Sequence, residues 1–363
     1  MFLSSLLDSV TWYPILFDSP LNAVRAIAFW LSVLLFISYM VAAFSLKAEK
    51  KKQFFKVSFP FTIAYICLLC ALFLLLTFIE DGVEKILFIP LFILLFSIAI
   101  GAVALSIKRS KKLLVFVGVW VGLAFITALV CIGIHFASGK ALENNGLTSK
   151  DVSSAALYIL GGISILLLLG LTLFFGRKEK KTFDSKAVTY AAICIAMSFA
   201  LSYMRIVRLP QGGSITPASL LPLMLYAYMF GVRKGVFTGF TYGLLQAFQD
   251  PFLLHPAQFL LDYPIAFAWC GLAGIFSHNE KLARFPQVQF ALGGILAGLG
   301  RFCMHFLSGT FAFGTFAPEG TPAALYSLVY QAGYVLPDLT IALIAGILLF
   351  SSKAFVKILQ KNQ

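Results

Sequence analysis

The stretch Gln258-Phe259-Leu260-Leu261-Asp262-Tyr263-Pro264-Ile265-Ala266-Phe267-Ala268-Trp269-Cys270-Gly271-Leu272-Ala273-Gly274 decides how this chain is read. It is apolar and about the length of helix that crosses a bilayer. Yet it carries a carboxylate and a proline in its first turns. A charge in hydrocarbon is expensive, so an intramembrane Asp262 is by default a candidate functional residue. The alternative readings place Asp262 at the water interface or pair it with a structural arginine.

The same character extends outward over the whole chain. Of 363 residues, 60% are hydrophobic and only 12% are charged. Apolar runs long enough to span a membrane recur from end to end, which excludes an ordinary soluble domain and predicts an all-α polytopic membrane protein. The formal net charge of +13 raises the question of nucleic acid. The basic residues, however, sit in short clusters between apolar runs, so the partner they imply is membrane lipid. The six cysteines lie inside or at the edges of apolar runs; Cys67 and Cys70 read as packing, with no second pair to make a zinc site. No basic n-region or A-x-A site marks a cleaved signal peptide.

Hydropathy predicts about eleven spans. Five fall near 22–46, 57–79, 86–107, 113–137 and 155–176. Six more fall near 186–204, 217–230, 235–249, 256–276, 287–308 and 323–350. Loops 47–56, 108–112, 177–186, 231–235 and 278–284 and the C-terminal tail hold most of the Lys and Arg. With eleven spans they all fall on one side. That predicts a multi-pass protein of a bacterial cytoplasmic membrane, with the N-terminus outside and the C-terminus in the cytoplasm. The run Arg177-Lys178-Glu179-Lys180-Lys181 is the clearest boundary. Residues 1–181 read as an N-terminal five-helix membrane domain, almost purely apolar. Residues 182–363 read as a six-helix domain whose spans carry small, polar and ionisable groups. The second domain is expected to keep its binding activity when residues 1–180 are deleted.

Polar groups gather at the predicted outer ends of the later spans. They are Tyr242, Gln246 and Asp250, then His255, Gln258, Asp262 and Tyr263. Arg301 and His305 follow, one turn apart on one helix face, and then Tyr326, Tyr330, Gln331, Tyr334 and Asp338. Phe311, Phe313 and Phe316 lie in the loop between the last two spans. An aromatic cup with a carboxylate, a histidine and amides suits a flat, cationic, nitrogen-rich ligand. Each residue also has a plain reading, as a helix cap, an ion pair or part of an interfacial belt.

Leu209-Pro210-Gln211-Gly212-Gly213-Ser214-Ile215-Thr216-Pro217 reads as a turn-rich connector or a mobile lid, with φ free at its two glycines. Glycines recur every four residues at Gly235, Gly239 and Gly243, at Gly294 and Gly298, and at Gly118 and Gly122. Ala187 and Ala191 share this spacing, as do Ala192 and Ala196; such faces allow close helix approach within the chain or to a partner. No catalytic motif is present. There is no G-x-x-x-x-G-K-[ST], no G-x-S-x-G and no H-E-x-x-H, and the four histidines never fall at metal-ligand spacing. No enzyme activity, cofactor or metal is expected.

From about Lys186 to Lys357 the chain resembles the ThiT (YuaJ) family, the thiamine-specific substrate-binding S components of energy-coupling factor (ECF) transporters. The resemblance rests on Pro210-Gln-Gly-Gly-Ser-Ile-Thr216, Gly231-Val-Arg-Lys-Gly235, Gln258-Phe-Leu-Leu-Asp-Tyr-Pro264, Gly300-Arg-Phe-Cys-Met-His305 with Gly309, and Tyr326-Ser-Leu-Val-Tyr330. It covers a little under half of the chain and leaves the first five spans without a counterpart. It implies a six-helix module that binds thiamine from outside. It also implies an ECF coupling subunit and two ABC-type ATPases as partners, which hydrolyse the ATP. By similarity Asp262, with Tyr263 beside it, His305, Gly309, Phe313 and Tyr326 fall at ligand-binding positions. Gln331 stands where some members carry Asn. The alanine face at Ala187/Ala191 or Ala192/Ala196 resembles the face that docks the coupling subunit. The alternatives are an S component for a related vitamin or pyrimidine precursor, or a solitary proton-coupled carrier that relays protons through Asp262, His305 and Asp338.

Overall fold

The computed structural model describes residues 48–81, 85–107, 110–137, 151–179, 182–249 and 252–362, with Thr11, Trp12 and isolated positions elsewhere before residue 149. The first predicted span, 22–46, falls largely outside the described residues, and Asp250 lies outside them altogether.

The other apolar runs are helical. They form α1 (Ala48–Asp81), α2 (Lys85–Ile107), α3 (Lys111–Ala137), α4 (Ser154–Phe175), α5 (Ser185–Tyr203), α6 (Leu221–Phe230) and α7 (Val232–Gln246). Then come α8 (Pro256–Leu260), α9 (Pro286–Ala312), α10 (Ala323–Ser351) and α11 (Lys353–Asn362). Among the described residues six helices are long and apolar enough to cross a membrane: Phe88–Ile107, Lys111–Ile132, Ser154–Phe175, Ser185–Tyr203, Pro286–Ala312 and Ala323–Ser351. With no water in hydrocarbon, helices that satisfy their own backbone are what such a chain must form. The described residues are therefore predominantly helical, as in an all-α, multi-pass membrane protein.

Two segments depart from simple spans. Helix α6 is short, and only Gly231, at φ 89°, separates it from α7. The basic loop expected at 231–235 is thus a one-residue hinge, and Lys234 is buried in the first turn of α7. The opening stretch is a broken helix. After α8 comes a π-helical turn, Leu261–Ile265, then an α turn, Ala266–Ala268, and a 3-10 stretch, Trp269–Gly274. Pro264 lacks the N–H that a regular ladder needs, and the π-turn absorbs the mismatch.

Glycines let α7 lie against this broken helix. A Cβ at Gly239 would overlap the Phe267 carbonyl, and one at Gly243 the Tyr263 carbonyl. In the same way a Cβ at Gly298 would overlap Leu339 where α9 meets α10. These ladders therefore serve contacts within the chain, whereas a Cβ at Gly118 or Gly122 would meet no atom within 4 Å.

The predicted lid is a small hairpin. Strand β2 (Val207–Arg208) pairs antiparallel with β3 (Ser214–Ile215), and the N-terminal β1 (Thr11–Trp12) pairs with the other edge of β2, Thr11 opposite Arg208. The left-handed residues of its turn are Gln211, at φ 59°, and Gly212, at φ 91°, so the two positive-φ positions lie one residue earlier than the glycine pair predicts.

The boundary near residue 181 is one of composition and not of packing. Helix α1 packs along α5, and α4 packs on α7, α8 and α9. Ala187, Ala191 and Ala192 are buried inside the chain and Ala196 is half-buried, with Ala187 beneath the Tyr226 hydroxyl that donates to its carbonyl at 3.1 Å.

Candidate functional site

The π-turn sets the site. A wider turn re-aims the side chains it carries, and such turns recur at functional positions. Here it presents Asp262 toward α9, where His305 and Ser308 lie one turn apart on one face. His305 Nδ1 stands 3.1 Å from Asp262 Oδ1, and Ser308 Oγ donates to Oδ2 at 2.6 Å. From α8, Gln258 Nε2 donates to the same Oδ2 at 2.7 Å.

Gln258 is held from every side. Its Oε1 accepts from the backbone N–H of Leu254 at 3.0 Å and of His255 at 3.4 Å, and its Nε2 also donates to the Phe252 carbonyl at 3.0 Å. Both amide hydrogens and the oxygen are used, which fixes the amide orientation. His255 caps α8, its Nδ1 accepting from the Ala257 N–H at 3.2 Å. The Tyr263 hydroxyl accepts from the Phe252 N–H at 3.0 Å. A carboxylate has about four acceptor positions, so three protein donors leave Asp262 room for roughly one more.

The His305 tautomer follows. A carboxylate only accepts, so Nδ1 must carry the hydrogen toward Asp262, and Nε2 of the neutral ring is an acceptor. That Nε2 is buried and has no hydrogen-bond partner among the described residues, and the same holds for Gln246 Oε1 and Gln331 Oε1. All three residues line one cavity, which also takes in Asp262, Tyr263, Gly309, Phe313 and Tyr326. Buried polar atoms without partners are uncommon in folded proteins, and Arg301 Nε on the same wall is another, so unmet acceptors and an unmet donor around one cavity mark a place for a polar ligand. The cavity is partly open to solvent, and its empty space of about 840 Å³ includes that open part.

Aromatic rings close its sides. Phe313 stacks near Phe252, with centroids 5.4 Å apart, and the edge of Tyr334 approaches His305 at 5.9 Å. The hairpin turn, Gln211 to Ser214, forms part of the wall. It is tied down on α10: the Tyr330 hydroxyl donates to the Pro210 carbonyl and accepts from the Gly213 N–H at 3.1 Å. Asp338 Oδ1 accepts from Thr216 N at 3.0 Å and from Thr216 Oγ1 at 2.6 Å.

Eight of the nine residues expected to bind ligand therefore meet in one cavity. Tyr242 does not: it is fully buried behind the wall, edge-on to Phe267 at 4.8 Å, with its hydroxyl 3.4 Å from the Ser198 carbonyl. Asp338 likewise is buried away from the cavity, on Arg301. The sequence reading missed Ser308, Phe252, Phe267 and Arg205. Ser308 had a signal, since it follows His305 by three residues on a helix.

The profile of the family described as "Thiamine transporter protein (Thia_YuaJ)" matches residues 188–358. The chain is 38% identical over 149 residues to "Thiamine transporter ThiT" of Bacillus subtilis (strain 168), a match that covers 39% of this chain and 77% of that protein. It is 29% identical over 181 residues to "Thiamine transporter ThiT" of Lacticaseibacillus paracasei, covering 46% of this chain and 88% of that protein. A solved ThiT structure from Listeria monocytogenes aligns with 48% of this chain and 96% of its own, at 23% identity and a TM-score of 0.43.

Proposed function

The chain belongs to the thiamine transporter family, and from that premise we propose that its cavity binds thiamine on the way into the cell. The chain then acts as the substrate-binding component of an ECF-type transporter. The single observation that carries the reading is the Asp262–His305 pair, 3.1 Å apart, with the bare His305 Nε2 turned to an aromatic cavity inside the family-matched span.

The chemistry suits the ligand. The amino group of thiamine's pyrimidine can donate to acceptors such as His305 Nε2 or the free position on Asp262. Its thiazolium is a permanent cation, which aromatic faces and a nearby carboxylate attract. Asp262 and Tyr263 on the broken helix, His305 and Gly309 on α9, Phe313 after it, Tyr326 and Gln331 on α10, and Gln246 on α7 are the proposed contacts.

As the family resemblance implies, the work of transport in this reading falls to partners, a coupling subunit and two ABC-type ATPases, which fits a sequence without a P-loop. The proposed topology has about eleven crossings, the cavity facing outward and the C-terminus in the cytoplasm, on the distribution of basic residues. Residues 182–363 make up the thiamine-binding unit in this reading. Uptake of labelled thiamine, in cells carrying the chain with and without the ATPases, tests the coupling. Uptake that needs the ATPases supports it. Uptake that persists without them and collapses with the proton gradient would identify a proton-coupled carrier instead.

A further inference from the structure

We propose that α4, which precedes the family-matched span, packs behind the wall of the binding site and holds the Asp262 network in place. The ligand half of this proposal rests on the thiamine reading.

Helix α4 turns one stripe toward the later helices: Leu157, Gly161, Ser164, Leu168 and Thr172 are buried, spaced by three or four residues. Leu157 and Leu168 join one apolar cluster with Leu261 of the π-turn and with Met304 and Phe313. The ends of α4 are fastened by polar contacts. Just before it, the Ser153 N–H donates to the Phe311 carbonyl at 3.0 Å, two residues from Phe313. Just after it, Glu179 accepts from the Val232 and Arg233 N–H groups at 2.7 and 3.0 Å. A carboxylate at the start of α7 also complements the helix dipole.

Between these ends Tyr158 meets the His255 ring edge-on, with centroids 4.8 Å apart. His255 caps α8, and Gln258 in the same cap donates to Asp262. The contacts thus run unbroken from Tyr158 through His255 and Gln258 to Asp262. In this proposal the segment 153–179 supports the site, whereas composition alone leads to the expectation that residues 1–180 can be deleted without loss of binding.

The test uses the full-length chain in detergent with four variants: Leu157→Ala, Tyr158→Ala, Tyr158→Phe and, on the lipid face of α4, Leu166→Ala. Two readouts are taken from folded protein. One is amide hydrogen exchange over residues 257–262 without ligand, which reports local opening. The other is thiamine affinity by calorimetry. Leu157→Ala and Tyr158→Ala should speed exchange and weaken thiamine binding, each by about tenfold, or about 1.4 kcal/mol. Tyr158→Phe keeps the ring and should match the wild type, as should Leu166→Ala. Unchanged exchange and affinity in the first two variants would overturn the proposal, and so would faster exchange with unchanged affinity. A wild-type chain that binds no thiamine would sink the functional reading separately, and exchange would still decide whether α4 supports the Asp262 turn.

Discussion

Arg301, on the cavity wall, and Asp338, behind it, form a buried ion pair, Nη1 to Oδ2 at 3.2 Å, that joins α9 to α10. The Arg301 guanidinium also lies 5.0 Å over the Phe267 ring, and the second Asp338 oxygen holds Thr216 of the hairpin. One pair thus fixes the two longest helices of the site, the broken helix and the lid. Removing one partner leaves an uncompensated buried charge, which typically costs about 3–5 kcal/mol. Asp338→Ala should lower the melting temperature sharply in detergent. An unchanged melting temperature would remove the pair from the account.

Gly309 faces α10 with no room for a side chain. A Cβ there would overlap Ser327 Oγ and lie 2.9 Å from Gln331 Nε2. Gly309→Ala should push Gln331 off its place in the wall. Overpacking of this kind costs about 1–3 kcal/mol, so thiamine affinity should fall about tenfold in a titration of folded protein.

The hairpin is latched, and its latch is the Tyr330 hydroxyl on Pro210 and Gly213. Tyr330→Phe removes both hydrogen bonds and keeps the ring. At about 0.5–1.5 kcal/mol for each, thiamine should dissociate several-fold faster in a stopped-flow chase. An unchanged dissociation rate would mean that the hairpin does not gate the cavity.

Much of this architecture is legible in the sequence, because span length and charge placement are set by the bilayer. The predicted ends at 186–204, 287–308 and 323–350 fall close to α5, α9 and α10. The convergence of Asp262, His305 and Tyr326 was also legible, from polar groups at matching ends of neighbouring spans. What escaped was rotation about helix axes. Tyr242 and Gln246 are one turn apart, yet Gly239 and Gly243 press α7 so close to the broken helix that Tyr242 turns toward Ser198. The π-turn at Leu261–Ile265 escaped as well, since no residue pattern specifies one extra residue in a turn. The docking of α4 was hidden because an apolar face reads the same against lipid as against protein.

Acid should loosen the site through His255. Burial holds this imidazole below its ordinary value of about 6.5, so the fold favours the neutral ring that accepts from Ala257. A lowered value means that the stabilisation is present above the unfolded pKa and is lost as pH falls through the lower, folded one. Melting temperature should therefore drop as pH falls below about 6.5. His255→Asn keeps a capping acceptor and should flatten part of that dependence. Identical pH profiles for the two chains would contradict this role.

Calorimetric titration of thiamine into the full-length chain and its Asp262→Asn variant shows whether Asp262 and His305 build a thiamine site. The wild type should bind thiamine saturably. The variant should bind it about ten- to a hundred-fold more weakly, as expected for loss of a charged hydrogen-bonding partner worth about 1.5–3 kcal/mol, with the melting temperature showing a folded protein. A wild-type chain that binds no thiamine, or a folded variant that binds it equally well, would mean that Asp262 and His305 do not build a thiamine site.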